Sequence, residues 1–226
     1  MSKPSNSPSG ISPDKLHSGV MKWFVLPLAR VIVTIVFGVL GPIRVRGREN
    51  LPKEGGVLMI ANHISFVDPL VTQYASPRPI YFLAKSGLFE MPAVGSTLRL
   101  WKTISITQGQ PDPAALRLAI ALLKAGYPVC VYPEGGLSDT GSLKEIHRGV
   151  ALIIRSSGVP VICLGLRNTD RVLPFKQAIP RPAWRFVWAR WGQPKVFTGR
   201  VSNEEATAWI AEQLRELSGT SHSSLG

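Results

Sequence analysis

From about residue 50 onward, short apolar runs alternate with longer stretches of helical periodicity. GVLMIAN, PIYFLAK, KTISIT, PVCVYP, VPVICLGL and WRFVWAR have the length and the β-branched and aromatic content of strands. In the last of these, Trp184, Phe186 and Trp188 alternate with Arg185, Val187 and Ala189, the period of a half-buried strand. Between PDP and Gly126 the pattern turns helical. Asp112 is a good N-cap, Pro113 suits the first helical position, and Gly126 is a stop. Leu116, Ala119, Ile120 and Leu123 form an i, i+3, i+4, i+7 stripe. A second helix follows Ser202, which with Glu205 reads as a capping box. Strands alternating with helices predict an α/β fold, a mixed and mostly parallel sheet flanked by helices. No internal repeat is visible.

The N-terminal pattern is different. Residues 1–20 open with a Ser/Pro-rich stretch that predicts a disordered tail. Residues 21–41 are strongly apolar but interrupted by Pro27 and Arg30, leaving Val31 to Gly41 as 11 residues free of charge and proline. A spanning helix needs about 20 apolar residues, and no small-residue cleavage site follows to mark a signal peptide. Three readings stay open: a helix lying in the membrane interface with Lys22, Trp23 and Arg30 at headgroup level, a tilted single span, or a buried core helix. Arg44, Arg46 and Arg48 follow at once, as a juxtamembrane basic cluster would, and this favours membrane contact.

Length and charge narrow the partners. With 226 residues the chain can bury one sizeable core, and a net charge of +12 calls for an anionic partner. Nucleic acid is disfavoured, because no zinc-finger spacing or RNA-binding aromatic signature is present. Cys130 and Cys163 sit inside apolar runs and read as buried free thiols in a reducing compartment.

Two stretches carry candidate chemistry. In NHISFVDPL, His63 stands five places before Asp68, a separation that puts the side chains roughly 140° apart on an ideal helix. They meet only if His63 lies in the turn before a helix and Asp68 in its first turn. Ser65 three places before Asp68 reads as a capping box, and Pro69 is tolerated in a first turn. In YPEGGLSDTG, Pro133 ends a strand, and Gly135 and Gly136 permit a tight turn close to a ligand. Nucleophile-elbow, P-loop, HExxH and dinucleotide motifs are absent. A histidine base with a carboxylate and no protein nucleophile suits a substrate that brings its own, such as a hydroxyl attacking an activated acyl group.

NHISFVDPL followed by VYPEGGLS resembles the phospholipid/glycerol acyltransferase family, typified by 1-acylglycerol-3-phosphate acyltransferases, whose hallmark is N-H-x4-D followed by a P-E-G loop. LAKSGLFEMPAVGSTLRL, HRGVALI, GVPVICLGL and WGQPKVF are similar to its other segments, so the likeness runs over roughly residues 45–200. The resemblance implies that His63 is the base and Asp68 its orienting carboxylate. It also implies that Glu134 and Gly135 belong to the loop that binds the acceptor. The implied donor is a fatty acyl thioester of acyl-carrier protein or coenzyme A, with no metal and no redox cofactor. Backbone N–H groups near Gly135 and Gly136 are candidates for the oxyanion site. The implied organisation is an apolar membrane-associated helix over 21–44, an acyltransferase domain over 45–216 and a flexible tail over 217–226, with the site facing the cytoplasm.

Two departures bear on the acceptor. The family usually carries an arginine where Gln108 stands, and P-E-G-T-R-S where this chain has Gly136 and Leu137. Two bidentate phosphate forks are thereby lost. Lys85, Lys144, His147 and Arg148 are the nearby cations left to compensate. Lysophosphatidate is the acceptor that the family implies. A different lysolipid or a neutral lipid alcohol is the alternative, and a catalytically idle lipid-binding member is the reading from another class.

Overall fold

The structure, a computed structural model, describes residues 19–20, 24–107, 112–138, 146–147, 149–177, 179–198 and 201–219. Its strands are β1 (Ile43–Arg46), β2 (Val57–Ala61), β3 (Tyr81–Lys85), β4 (Ile104–Ile106), β5 (Pro128–Val131), β6 (Val161–Arg167) and β7 (Val187–Trp191). They form one sheet in the order β1-β7-β6-β2-β5-β3-β4. Every neighbouring pair is parallel except β6 and β7, so the sheet is mixed and mostly parallel. The central strands are apolar at every position because helices cover both faces; all five residues of β2 are buried.

The helices are α1 (Leu26–Leu40), α2 (Asp68–Ala75), α3 (Pro92–Leu100), α4 (Pro113–Lys124), α5 (Gly149–Ser157), α6 (Thr169–Val172) and α7 (Asn203–Ser218). On one face α4, α5 and α7 pack over Leu58, Ile60, Val129, Val131 and Val161. On the other, α1 and α2 pack over Met59, Cys130, Ile162 and Leu164. Asp112 caps α4 by accepting from Ala115 N–H at 3.0 Å, and Ser202 caps α7 by accepting from Glu205 N–H at 3.0 Å. Both cysteines are buried free thiols; burial raises both, Cys163 to about 12.

The topology creates a cleft. β2 and β5 are parallel neighbours, yet the helix after β2 covers one face and the helix after β5 the other. The chain therefore leaves the carboxyl ends of adjacent strands in opposite directions, which opens a crevice between them.

Three expectations need correction. α1 has 15 residues, about 22 Å at 1.5 Å per residue, and among the described residues no helix is long and apolar enough to cross a membrane. Val33 and Phe37 dock on the sheet, while Leu28, Val31, Ile32, Ile35, Val36 and Val39 face outward. Second, the arginines divide by role. Arg44 and Arg46 project outward from the edge strand β1, over the rings of Phe186 and Trp188. Arg48 donates to the Ala75 and Tyr74 carbonyls at 3.1 Å each, and Arg30 donates to the Ser76 carbonyl. Those carbonyls end α2, so this pair caps a helix C-terminus instead of reaching toward headgroups. Third, β7 begins at Val187, later than the aromatic alternation predicts, and buries Val187, Ala189 and Trp191. Trp184 is left in solvent.

Candidate active site

His63 sits in the turn between β2 and α2, and Asp68 is the first residue of α2, the placement that the five-residue spacing demands. His63 Nδ1 lies 2.9 Å from Asp68 Oδ2. The same oxygen accepts the backbone N–H groups of Ile64 and Ser65, each at 2.7 Å. A carboxylate oxygen serving two N–H donors can only accept from a third, so Nδ1 carries the proton and Nε2 holds the free lone pair. Asp68 is fully buried, and the His63 side chain remains 17% exposed. The imidazole is thus held through Nδ1 and remains partly exposed.

The capping box forms only in part. Asp68 reaches back to the Ser65 N–H, but the Ser65 hydroxyl donates to the Leu173 carbonyl at 2.8 Å and accepts from Val67 N–H at 3.3 Å. Ser65 therefore ties the turn to α6 instead of closing the box.

The loop after β5 holds the histidine's backbone on both sides. Glu134, buried, accepts the His63 N–H at 3.0 Å, and Ser138 N–H donates to the His63 carbonyl at 2.7 Å. Glu134 thus turns its carboxylate toward the backbone of His63 and holds that turn in place. Gly135 adopts a φ of 64°, a left-handed backbone that favours glycine, and a methyl there would stand 2.4 Å from His147 Nε2, so the His147 ring lies against this turn. Its N–H donates to the Tyr132 carbonyl at 3.2 Å, which commits it to the turn and removes it as an oxyanion donor in this state. A methyl on Gly136 would lie 3.3 Å from Lys85 Nζ, which places the Lys85 ammonium over this loop. Leu137 is half-buried in the same loop. Gln108, Lys144 and Arg148 lie outside the described residues.

Tyr132 and Asn62 were not anticipated. The Tyr132 ring stacks on the imidazole at 4.2 Å and 23°, and its hydroxyl shares a 3.1 Å hydrogen bond with Thr72. Burial, with Cys130 and the Asp68 charge adding to it, holds that hydroxyl well above the usual phenol range, so it stays neutral. The signal was available: a period of two puts Tyr132 on the face of Cys130, toward α2. Asn62 grips β6 with both ends of its amide, accepting from Leu166 N–H at 2.7 Å and donating to the Leu166 carbonyl at 3.0 Å. Asn62→Ala leaves both buried Leu166 groups unpaired. It should destabilise the fold by about 2–4 kcal/mol and lower Tm by roughly 5–10 °C in a thermal melt. An unchanged Tm would mean that water replaces the amide.

The family model described as Acyltransferase matches residues 42–167, a span that includes both His63 and the Glu134 loop. This chain belongs to that family. Within it, the chain is similar to the chloroplastic 1-acyl-sn-glycerol-3-phosphate acyltransferase of Brassica napus, 29% identical over 133 residues that make up 58% of this chain and 38% of the relative. It is also similar to the 1-acyl-sn-glycerol-3-phosphate acyltransferase of Pseudomonas aeruginosa, 26% identical over 218 residues, 88% of this chain and 77% of the relative. Coverage is shorter for others; the match to the Borreliella burgdorferi protein of that name spans 52% of it. The crystal structure of the 1-acyl-sn-glycerophosphate acyltransferase PlsC from Thermotoga maritima superposes with a TM-score of 0.72 over 86% of this chain and 79% of that one. At 24% identity this is a likeness of fold.

Proposed function

We propose that this protein is a membrane-associated O-acyltransferase of glycerophospholipid synthesis. It moves a fatty acyl group from an acyl thioester, of acyl-carrier protein or coenzyme A, to the hydroxyl of a lysophosphatidate-type acceptor. The observation that carries the reading is the oriented imidazole: Nδ1 on Asp68 at 2.9 Å, with the His63 side chain still 17% exposed. The acceptor hydroxyl gives its proton to Nε2 as its oxygen attacks the thioester carbonyl. Collapse of the tetrahedral intermediate breaks the C–S bond, and the imidazolium returns the proton to the departing thiolate. Asp68 stabilises the imidazolium between the two steps. The outward apolar face of α1 supports a helix lying in the membrane interface.

Lys85, poised over Gly136, is the described cation best placed for an acceptor phosphate in this reading. Lys85→Met should raise KM for lysophosphatidate about 10–100-fold with a smaller change in kcat, since a charge-assisted hydrogen bond is lost. A second reading, a neutral lipid alcohol or another lysolipid as acceptor, is favoured by Gly136 and Leu137, which stand where the family resemblance implies a phosphate-binding arginine motif. Transfer from a labelled acyl thioester to lysophosphatidate, other lysophospholipids and neutral glycolipid alcohols separates the two. Preference for lysophosphatidate supports the first reading and preference for an uncharged acceptor the second. No transfer to any hydroxyl would overturn both.

A further inference from the structure

The segment between α6 and β7 lies beyond the stretch that the family model matches, and its chemistry is unlike that of the rest of the chain. Between α6 and β7 the chain carries Lys176, Arg181 and Arg185 and no Asp or Glu. Ahead of β7, exposed Phe175, Ile179, Trp184 and Phe186 interleave with exposed Lys176, Arg181 and Arg185. Trp184 is 90% exposed and has a φ of 53°, a left-handed backbone that a bulky side chain rarely adopts. The folded chain thus holds an indole in water at the expense of backbone strain, and strain of that kind concentrates at functional positions.

The location is equally specific. Arg167 pairs with Trp188 in the antiparallel β6–β7 ladder, so the start of β7 lies at the carboxyl end of β6. That is the sheet edge from which the His63 turn emerges, because β6 runs parallel to β2. Ala183 N–H donates to the Leu40 carbonyl at 2.6 Å, and a methyl on Gly41 would lie 2.9 Å from the Arg185 carbonyl. Trp184 therefore stands beside the C-terminal end of α1. A groove of about 610 Å³ opens here, lined by Pro42, Arg167, Asn168, Trp184, Arg185 and Phe186 among others.

We infer that this segment is a second membrane contact: an anionic-lipid-binding loop that inserts Trp184 at headgroup level beside α1 and turns the active-site edge toward the bilayer. Positive charge alone would suit an acidic carrier protein equally well. Apolar and aromatic tips set between the cations decide for lipid, since an indole has both an apolar body and a polar N–H, and arginines around it meet lipid phosphates. The inference rests on the reading of α1 as an interfacial helix.

The test is co-sedimentation of the full chain with vesicles of phosphatidylcholine alone or of equal parts phosphatidylcholine and phosphatidylglycerol. The parent should favour the anionic vesicles. Arg181→Gln/Arg185→Gln should weaken that binding roughly 10–30-fold, at about 5-fold per cation, with little change on phosphatidylcholine. Trp184→Ala should weaken binding to both by about 10-fold, the loss of one buried aromatic anchor. Trp184→Gly suits the left-handed backbone and guards against misfolding as the cause. Transfer to a detergent-dispersed acceptor should be unchanged in all of them. Variants that bind anionic vesicles like the parent would overturn the inference. So would an arginine double variant that keeps vesicle binding but raises KM for acyl-carrier-protein thioester, which would make the loop a carrier dock. If the parent binds neither vesicle, the interfacial reading of α1 fails and the loop falls with it. If Val31→Ser/Ile35→Ser releases the chain and the loop variants do not, the loop inference alone falls.

Discussion

Asp68→Asn should fold like the parent and transfer acyl groups about 10²–10⁴-fold more slowly. The reason lies in how the carboxylate is used. Among the described residues its hydrogen bonds, from His63 Nδ1 and from the Ile64 and Ser65 N–H groups, all end on Oδ2, and the buried Oδ1 has no hydrogen-bond partner. An asparagine can put its carbonyl oxygen where Oδ2 stands and its amide nitrogen where Oδ1 stands, preserving the turn. It cannot supply the negative charge that stabilises the imidazolium. Far-ultraviolet circular dichroism and Tm should therefore match the parent within a few degrees while kcat falls. Asp68→Ala should lose both, because the turn's two N–H groups then have no acceptor. Equal loss of stability in the Asn and Ala variants would mean that Asp68 is structural only.

His63→Ala should lower kcat by about 10³–10⁴-fold or more, the contribution of a positioned general base and of the orientation it imposes. The fold should persist, since the backbone N–H and carbonyl that bind Glu134 and Ser138 are unaffected by the side chain. The loss of stacking on Tyr132 should cost about 0.5–1.5 kcal/mol of stability. Added imidazole should restore a small part of the rate if the missing group is a base. Full activity in this variant would remove His63 from the chemistry and with it the proposed mechanism.

The layout of the fold was legible because central parallel strands are apolar throughout and helices announce themselves through caps. The His63–Asp68 pair was legible because it is local: five residues, one turn and one helix start define it. What periodicity does not carry is strand order. The contacts of His63 with Glu134, Ser138 and Tyr132 exist because β5 lies beside β2, and no stretch of sequence states that neighbour. Arg30 and Arg48 were read as facing headgroups because their targets, the last carbonyls of α2, lie more than 20 residues away. β1 was missed altogether: IRVR, with arginine at alternate positions on an exposed edge, looks like a basic cluster and not a strand. Trp184 fitted the aromatic alternation, yet it lies in the turn before the strand and not in the ladder.

The sheet order also fixes when the site can exist during synthesis. β2, α2, β3 and β4 all precede β5, yet β5 belongs between β2 and β3. A nascent chain that has delivered Asp68 and Lys85 still has an empty slot in the middle of its sheet. The carboxylate that will hold the histidine's backbone is 71 residues away along the chain. The base is thus born early and clamped late. No fragment that ends before Ser138 can hold the finished imidazole, so the geometry of the site is completed by the insertion of a central strand and not by the appearance of His63 and Asp68 themselves.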